Sequence, residues 1–230
     1  MRSTPIVLFD QTRSRSIPIQ IYLSQRAKAK ALRAHKPMPV VVISHGYRMK
    51  NTEYSAIADY LAEKGFFVAS IQDDLTTDPH LKHSGTLYQR RKPLWDKGVL
   101  NILFAEKALH KLYPFIEINK VILLGHSNGG DISILFAKNY PNSVKAVISL
   151  DSLRVPFPRD GKIPILSIRA NNTKSDPAVL PDKKDWKKLH MMIVNLNDAK
   201  HIDLSDRGSP VIQQEINSII EHFLTNENLK

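Results

Sequence analysis

The sequence predicts an α/β fold, a mostly parallel eight-stranded sheet with helices on both faces, and three observations carry that prediction. Short apolar runs at 39–44, 66–71, 121–125 and 144–150 alternate with stretches whose apolar residues recur every three or four positions. The runs are apolar almost throughout, as strands covered on both faces must be. At 230 residues and 42% hydrophobic content the chain can fill one sizeable core, so a single domain over 1–230 is expected.

Taken in order, 5–9 and 17–23 read as two strands joined by the polar turn 10–16, and Pro18 places the second at an edge of the sheet. Basic residues 26–36 lead into the strand 39–44. From 52 to 64 the positions Tyr54, Ile57, Ala58, Leu61 and Ala62 make a one-faced helix, which Gly65 stops. The strand 66–71 completes a crossover, and 72–94 reads as a long polar connection. A helical stripe then runs from Trp95 to Leu112 and delivers the chain to the strand at 121–125. A helix to about Asn139, strands at 144–150, 163–168 and 191–196, and a last helix bearing Ile212, Ile216, Ile219, Ile220 and Phe223 on one side finish the fold. Because 151–162 is short, no cap domain fits between its flanking strands and the cleft should be open.

Composition excludes several classes. With no cysteine there are no disulfides, thiol nucleophiles or cysteine metal sites. No run approaches the roughly 18 apolar residues of a membrane-spanning helix, and no transmembrane segment is expected. A soluble, cytoplasmic protein is the favoured reading, with export after removal of a signal the alternative. The net charge of +11 favours anionic partners, but the basic residues are scattered, so specific nucleic-acid binding is not expected, and an anionic small-molecule ester is one partner the charge allows. No cofactor is called for, and nothing sets the oligomeric state. The segment 78–83, with His80, His83 and nearby Asp73, Asp74 and Asp78, is the one conceivable metal cluster. Its proline and lack of helical spacing argue against that use.

The chemistry is written at 121–130, where an apolar run stops at Gly125-His126-Ser127-Asn128-Gly129-Gly130. A strand that turns abruptly into a helix needs small residues around the turn so that the backbones can approach. The serine at its tip then projects above the sheet. The ordinary alternative is a strand, a glycine turn and a helix cap. As a nucleophile Ser127 requires a histidine base and a carboxylate that orients it. His201, in a polar loop between the last strand and the last helix, stands where such a base is needed. Two residues compete for the acid. Asp151 ends the strand beside that of the nucleophile and is preferred; Asp176, past the next strand, is the alternative. The amide of Asn128 and that of Tyr47, in His45-Gly46-Tyr47, are the expected oxyanion donors. Tyr47, His126, Tyr88 and Arg90 are the expected substrate contacts, with Arg91 and Trp95 beside them on the cleft rim.

Together, Ser44-His45-Gly46-Tyr47, the stretch from Tyr54 to Ala69 and Gly125 to Gly130 resemble the α/β-hydrolase superfamily, in particular its dienelactone-hydrolase-like and platelet-activating-factor-acetylhydrolase-like branches. The resemblance implies the α/β-hydrolase fold and serine esterase activity. The acetylhydrolases end the strand after the nucleophile in a Leu-Asp pair, which matches Leu150-Asp151. Polyester hydrolases and cutinases place their aspartate after the next strand, where Asp176 is the nearest match and Thr173 stands closer to the expected spacing. There is no apolar surface helix for docking on lipid, so phospholipid is not implied.

The leading expectation is therefore a serine hydrolase of carboxylic esters acting through an acyl enzyme on a small-molecule ester. Thioester and amide cleavage share the same oxyanion. The alternative is a non-catalytic ligand-binding protein on a hydrolase scaffold.

Overall fold

The computed structural model describes residues 2–81, 83–117 and 119–229. Its eight strands are β1 (Arg2–Asp10), β2 (Arg15–Leu23), β3 (Val40–Ser44), β4 (Phe67–Ile71), β5 (Val121–His126), β6 (Val144–Leu150), β7 (Ile165–Ala170) and β8 (Met191–Leu196). They form one sheet in the order β1-β2-β4-β3-β5-β6-β7-β8. The β1–β2 and β2–β4 pairs are antiparallel and every later pair is parallel.

Period-two alternation sends Val40, Val42, Val121 and Leu123 to one face and Val41, Ile43, Ile122 and Leu124 to the other. Helices α3 (Leu87–Leu112) and α4 (Asn128–Asn139) cover the first face, and α2 (Ser55–Glu63) and α5 (Pro210–Asn226) the second. This is the doubly wound arrangement that the uninterrupted apolar strands called for. Among the described residues no helix is long and apolar enough to cross a membrane, and none is inserted between β6 and β7.

Four local readings change. Pro18 does not lie on an edge strand, since β2 sits between β1 and β4. The proline is tolerated because its carbonyl accepts the Gln72 N–H at 2.8 Å, so the donor it lacks would face Gln72, one residue beyond the end of β4. Residues 25–33 form a helix, α1 (Gln25–Arg33), with no buried residue, so no apolar stripe announces it. Helix α3 starts eight residues earlier than the stripe suggested, and Pro93 lies inside it. Its start carries a reciprocal cap in which Gln89 N–H donates to Thr86 Oγ1 (3.2 Å) and Thr86 N–H to Gln89 Oε1 (2.9 Å). Finally, β7 runs two residues past Ile168 and takes in Arg169.

Asp78, from the segment weighed for metal binding, is held by Arg15 at 2.6 Å and by Lys97. Burial opposes its charge, but these cations and the Leu75 N–H hold its carboxyl well below the usual range. It locks β2 to α3.

Candidate active site

The parallel strands end side by side, so whatever follows each C-terminus shares one cleft. Ser44 pairs with Gly125 and His126 with Leu150, which brings the 45–47 loop, Ser127 and Asp151 into a row.

The serine turn is as tight as its glycines require. A Cβ on Gly125 would lie 2.1 Å from Gly129 O, and one on Gly129 would lie 2.0 Å from Ser44 O. Ser127 takes φ 53° and ψ −114°, a strained conformation for a residue with a side chain. Its own N–H is bonded to Leu150 O at 2.8 Å, and α4 begins at the next residue. Along the whole run 121–137, Ser127 alone is not buried.

Asp151 also adopts a left-handed conformation, with φ 54°, as the chain turns off β6. Its carboxylate is buried, and each oxygen faces a charged or polar partner. Oδ2 accepts the His201 Nδ1–H at 2.6 Å and the Thr173 hydroxyl at 2.5 Å, and Oδ1 lies 3.0 Å from Arg169 Nη2. That last contact is an ion pair without hydrogen-bond alignment. Burial raises the carboxyl's pKa, but His201, Arg169 and Thr173 outweigh it and hold Asp151 below the ordinary range. A donated Nδ1–H leaves Nε2 as the lone-pair nitrogen of His201.

The alternative acid is elsewhere. Asp176 pairs with Arg154 and is much more exposed, and its N–H is bonded to Leu153 O at 2.9 Å. The structure brings Asp151, not Asp176, to His201. Thr173, the residue nearest the spacing of the later acid, meets the same carboxylate through its hydroxyl.

His126 is not a substrate contact, because it is 1% exposed and both ring nitrogens are used. Nε2 faces His201 O at 2.9 Å, and since a carbonyl only accepts, Nε2 carries the proton. Nδ1 therefore accepts from Tyr54 Oη–H at 2.8 Å, while the same oxygen takes the Gly46 N–H at 2.9 Å. This chain ties the 45–47 loop, the serine turn and the His201 loop together, and the two imidazole centroids lie 4.7 Å apart. Burial pushes His126 down to about 3, with the neighbouring His201 adding to the effect, so it is neutral at physiological pH. The sequence showed Tyr54 only as an apolar helix position; its hydroxyl gave no signal.

Tyr47, Arg91, Trp95 and Asn128 form a second contact group next to the serine turn. The Arg91 guanidinium stacks over the Tyr47 ring at 4.3 Å and reaches Asn128 Oδ1 at 3.5 Å. Trp95 is fully buried, not on the rim, and donates Nε1–H to Asn128 Oδ1 at 2.9 Å. Tyr88 packs edge-on against it at 5.0 Å, and Arg90 is partly buried on α3. Asp131, in the first turn of α4, accepts the N–H groups of Arg154 (3.0 Å) and Val155 (2.8 Å), fixing the chain beyond Asp151. Burial raises its carboxyl to about 6.

Comparison with known proteins agrees with this architecture. Residues 19–75, about a quarter of the chain, match the family model of platelet-activating factor acetylhydrolase, isoform II. They hold the last five residues of β2, then α1, β3, α2 and β4, with the 45–47 loop and Tyr54. Comparison with curated protein sequences finds no match. Among solved structures, dienelactone hydrolase from Anabaena variabilis superposes with a TM-score of 0.63 at 13% identity, covering 98% of this chain and 99% of that one. A ferulic acid esterase from Streptomyces cinnamoneus gives 0.66 at 16% identity, covering 97% and 88%. An α/β serine hydrolase without lid from Xanthomonas campestris gives 0.61 at 15% identity, covering 97% and 94%. The chain therefore has the fold of these α/β hydrolases, and its residues 19–75 are similar to platelet-activating factor acetylhydrolase, isoform II.

Proposed function

We propose that the protein is a serine hydrolase that cleaves carboxylic esters through an acyl-enzyme intermediate, with Ser127 as nucleophile, His201 as base and Asp151 as acid. One observation carries the reading. The 2.6 Å bond from His201 Nδ1 to Asp151 Oδ2 orients an imidazole whose free Nε2 belongs beside a strained, part-exposed serine on the neighbouring turn.

In this mechanism Ser127 Oγ attacks the ester carbonyl while His201 Nε2 takes its proton. The carbonyl oxygen becomes an oxyanion held by the amides of Tyr47 and Asn128, the latter at the positive end of α4. His201 returns the proton to the departing alkoxide, leaving the acyl group on Ser127. Water, deprotonated by the same nitrogen, then attacks the acyl carbonyl and releases the acid and the free serine. Asp151 keeps the imidazole in the tautomer that both half-reactions need. Tyr47 with Arg91 over its ring forms a cationic wall beside Asn128, which suits a small ester carrying negative charge.

Hydrolysis of short-chain p-nitrophenyl esters by wild type and Ser127→Ala tests the reading, together with fluorophosphonate labelling. Turnover and labelling should both vanish in the variant. Equal rates in the two proteins would refute it, and a folded wild type that neither labels nor turns over would be a binding protein on this scaffold.

A further inference from the structure

Arg169 is 7% exposed and stands in β7, where all six residues are buried. Its Nη1 donates to Ser152 O at 2.7 Å while Nη2 lies 3.0 Å from Asp151 Oδ1. One planar group therefore spans two consecutive residues at the point where Asp151 leaves β6 in a left-handed conformation. The carboxylate's two oxygens are divided: Oδ1 faces Arg169, and Oδ2 faces His201 and Thr173.

A buried ion pair is a poor device for stability, because apolar residues of the same volume serve at least as well. What the planar guanidinium supplies here is a fixed cation: its Nη1 bond to Ser152 O pins the group so that Nη2 stays 3.0 Å from Asp151 Oδ1. Resting on the triad reading above, we propose that Arg169 is a positioning residue for that triad, holding the Asp151 carboxylate at the angle that aims Oδ2 at His201 Nδ1. Thr173 is its counterpart on the open side, closing the second lone pair of Oδ2. The two reach the acid from one short stretch, β7 and the turn after it, so a single segment orients the acid.

Arg169→Gln, Arg169→Lys and Thr173→Val in the full chain test this by two readouts. The first is the low-field proton resonance of the His201–Asp151 bond, assigned by its loss in Asp151→Asn. It should move and broaden in Arg169→Gln and stay closer to wild type in Arg169→Lys. The second is hydrolysis of a short-chain p-nitrophenyl ester. Turnover should fall roughly tenfold to a hundredfold in Arg169→Gln with KM nearly unchanged, well short of the ~10⁴ expected for loss of the acid itself. Arg169→Lys should recover part of it, and Thr173→Val should lose several-fold. A folded Arg169→Gln with wild-type resonance and turnover overturns the proposal. Should that variant not fold, Arg169→Lys decides: lysine keeps the charge but cannot both hold Ser152 O and face Asp151 Oδ1, so its resonance and rate should lie between those of wild type and those expected for Arg169→Gln, and an unchanged resonance and rate overturn the proposal equally. A wild type with the resonance but no turnover would sink the esterase reading alone, and the resonance would still decide the role of Arg169.

Discussion

Replacing Tyr54 by phenylalanine removes one oxygen from the centre of the molecule and leaves the ring packing as it is. The tyrosine is fully buried, and its hydroxyl takes the Gly46 N–H at 2.9 Å and donates to His126 Nδ1 at 2.8 Å. Each partner is then stranded without water, at about 1–3 kcal/mol apiece. The desolvation that the hydroxyl itself no longer suffers offsets part of that. The net loss should be about 2–4 kcal/mol, read as a lower urea midpoint at unchanged slope. Turnover should also fall, because the loop that carries Tyr47 loses its tie to the serine turn. A loss below about 0.5 kcal/mol would refute the argument that this hydroxyl bridges the two loops.

Other outcomes follow from the same geometry. Asp151→Asn should lower turnover by about 10⁴ through loss of the correct imidazole tautomer, while Asp176→Asn, which disturbs only the Arg154 pair, should change it less than threefold; the reverse ranking in ester assays would overturn the assignment of the acid. Burial raises Asp131 to about 6, so the native state holds a proton that the unfolded chain has lost, and stability falls as pH rises from about 4 to 6. Asp131→Asn keeps an acceptor for both amides and should be about 1–3 kcal/mol more stable than wild type in urea at pH 7, with the advantage gone below pH 4. His126 acts in the opposite sense: with its pKa near 3 it stays neutral in the fold while the unfolded chain takes up a proton below about 6.5, so stability is full above that pH and drops as pH falls. Its contribution should amount to about 3 kcal/mol between pH 6.5 and 4, and His126→Gln should flatten that limb in urea titrations. Gly129→Ala should fail to give folded protein in far-UV circular dichroism, because its methyl would lie 2.0 Å from Ser44 O.

Much of this fold is legible in the sequence because burial on both faces leaves strands apolar from end to end, and the helices between them repeat at three and four. The elements that escape are those without such a stripe. Helix α1 buries no residue, and the first turns of α3 are polar with a proline. There the sign was the Thr86–Gln89 spacing, a cap read through hydrogen bonds and not through hydrophobicity. At the site, Ser127, His201 and Asp151 are recognisable because each sits at the end of a readable strand or in the loop after it. Arg169 is not, since a charged residue at the end of an apolar run reads as the start of a loop. His126 misleads for a related reason. A histidine beside a serine suggests contact with substrate, and only the Tyr54 hydroxyl and the His201 carbonyl reveal that both nitrogens are spent internally.

The bridge from Gly46 through Tyr54 and His126 to the backbone of His201 joins segments more than 150 positions apart in the chain. No contiguous fragment holds the cleft, so a truncated chain that keeps a stable part of the sheet should keep none of the catalysis. In a denaturant titration the site should vanish in step with the sheet. Ester hydrolysis would then serve as a direct gauge of how much of the whole population is folded.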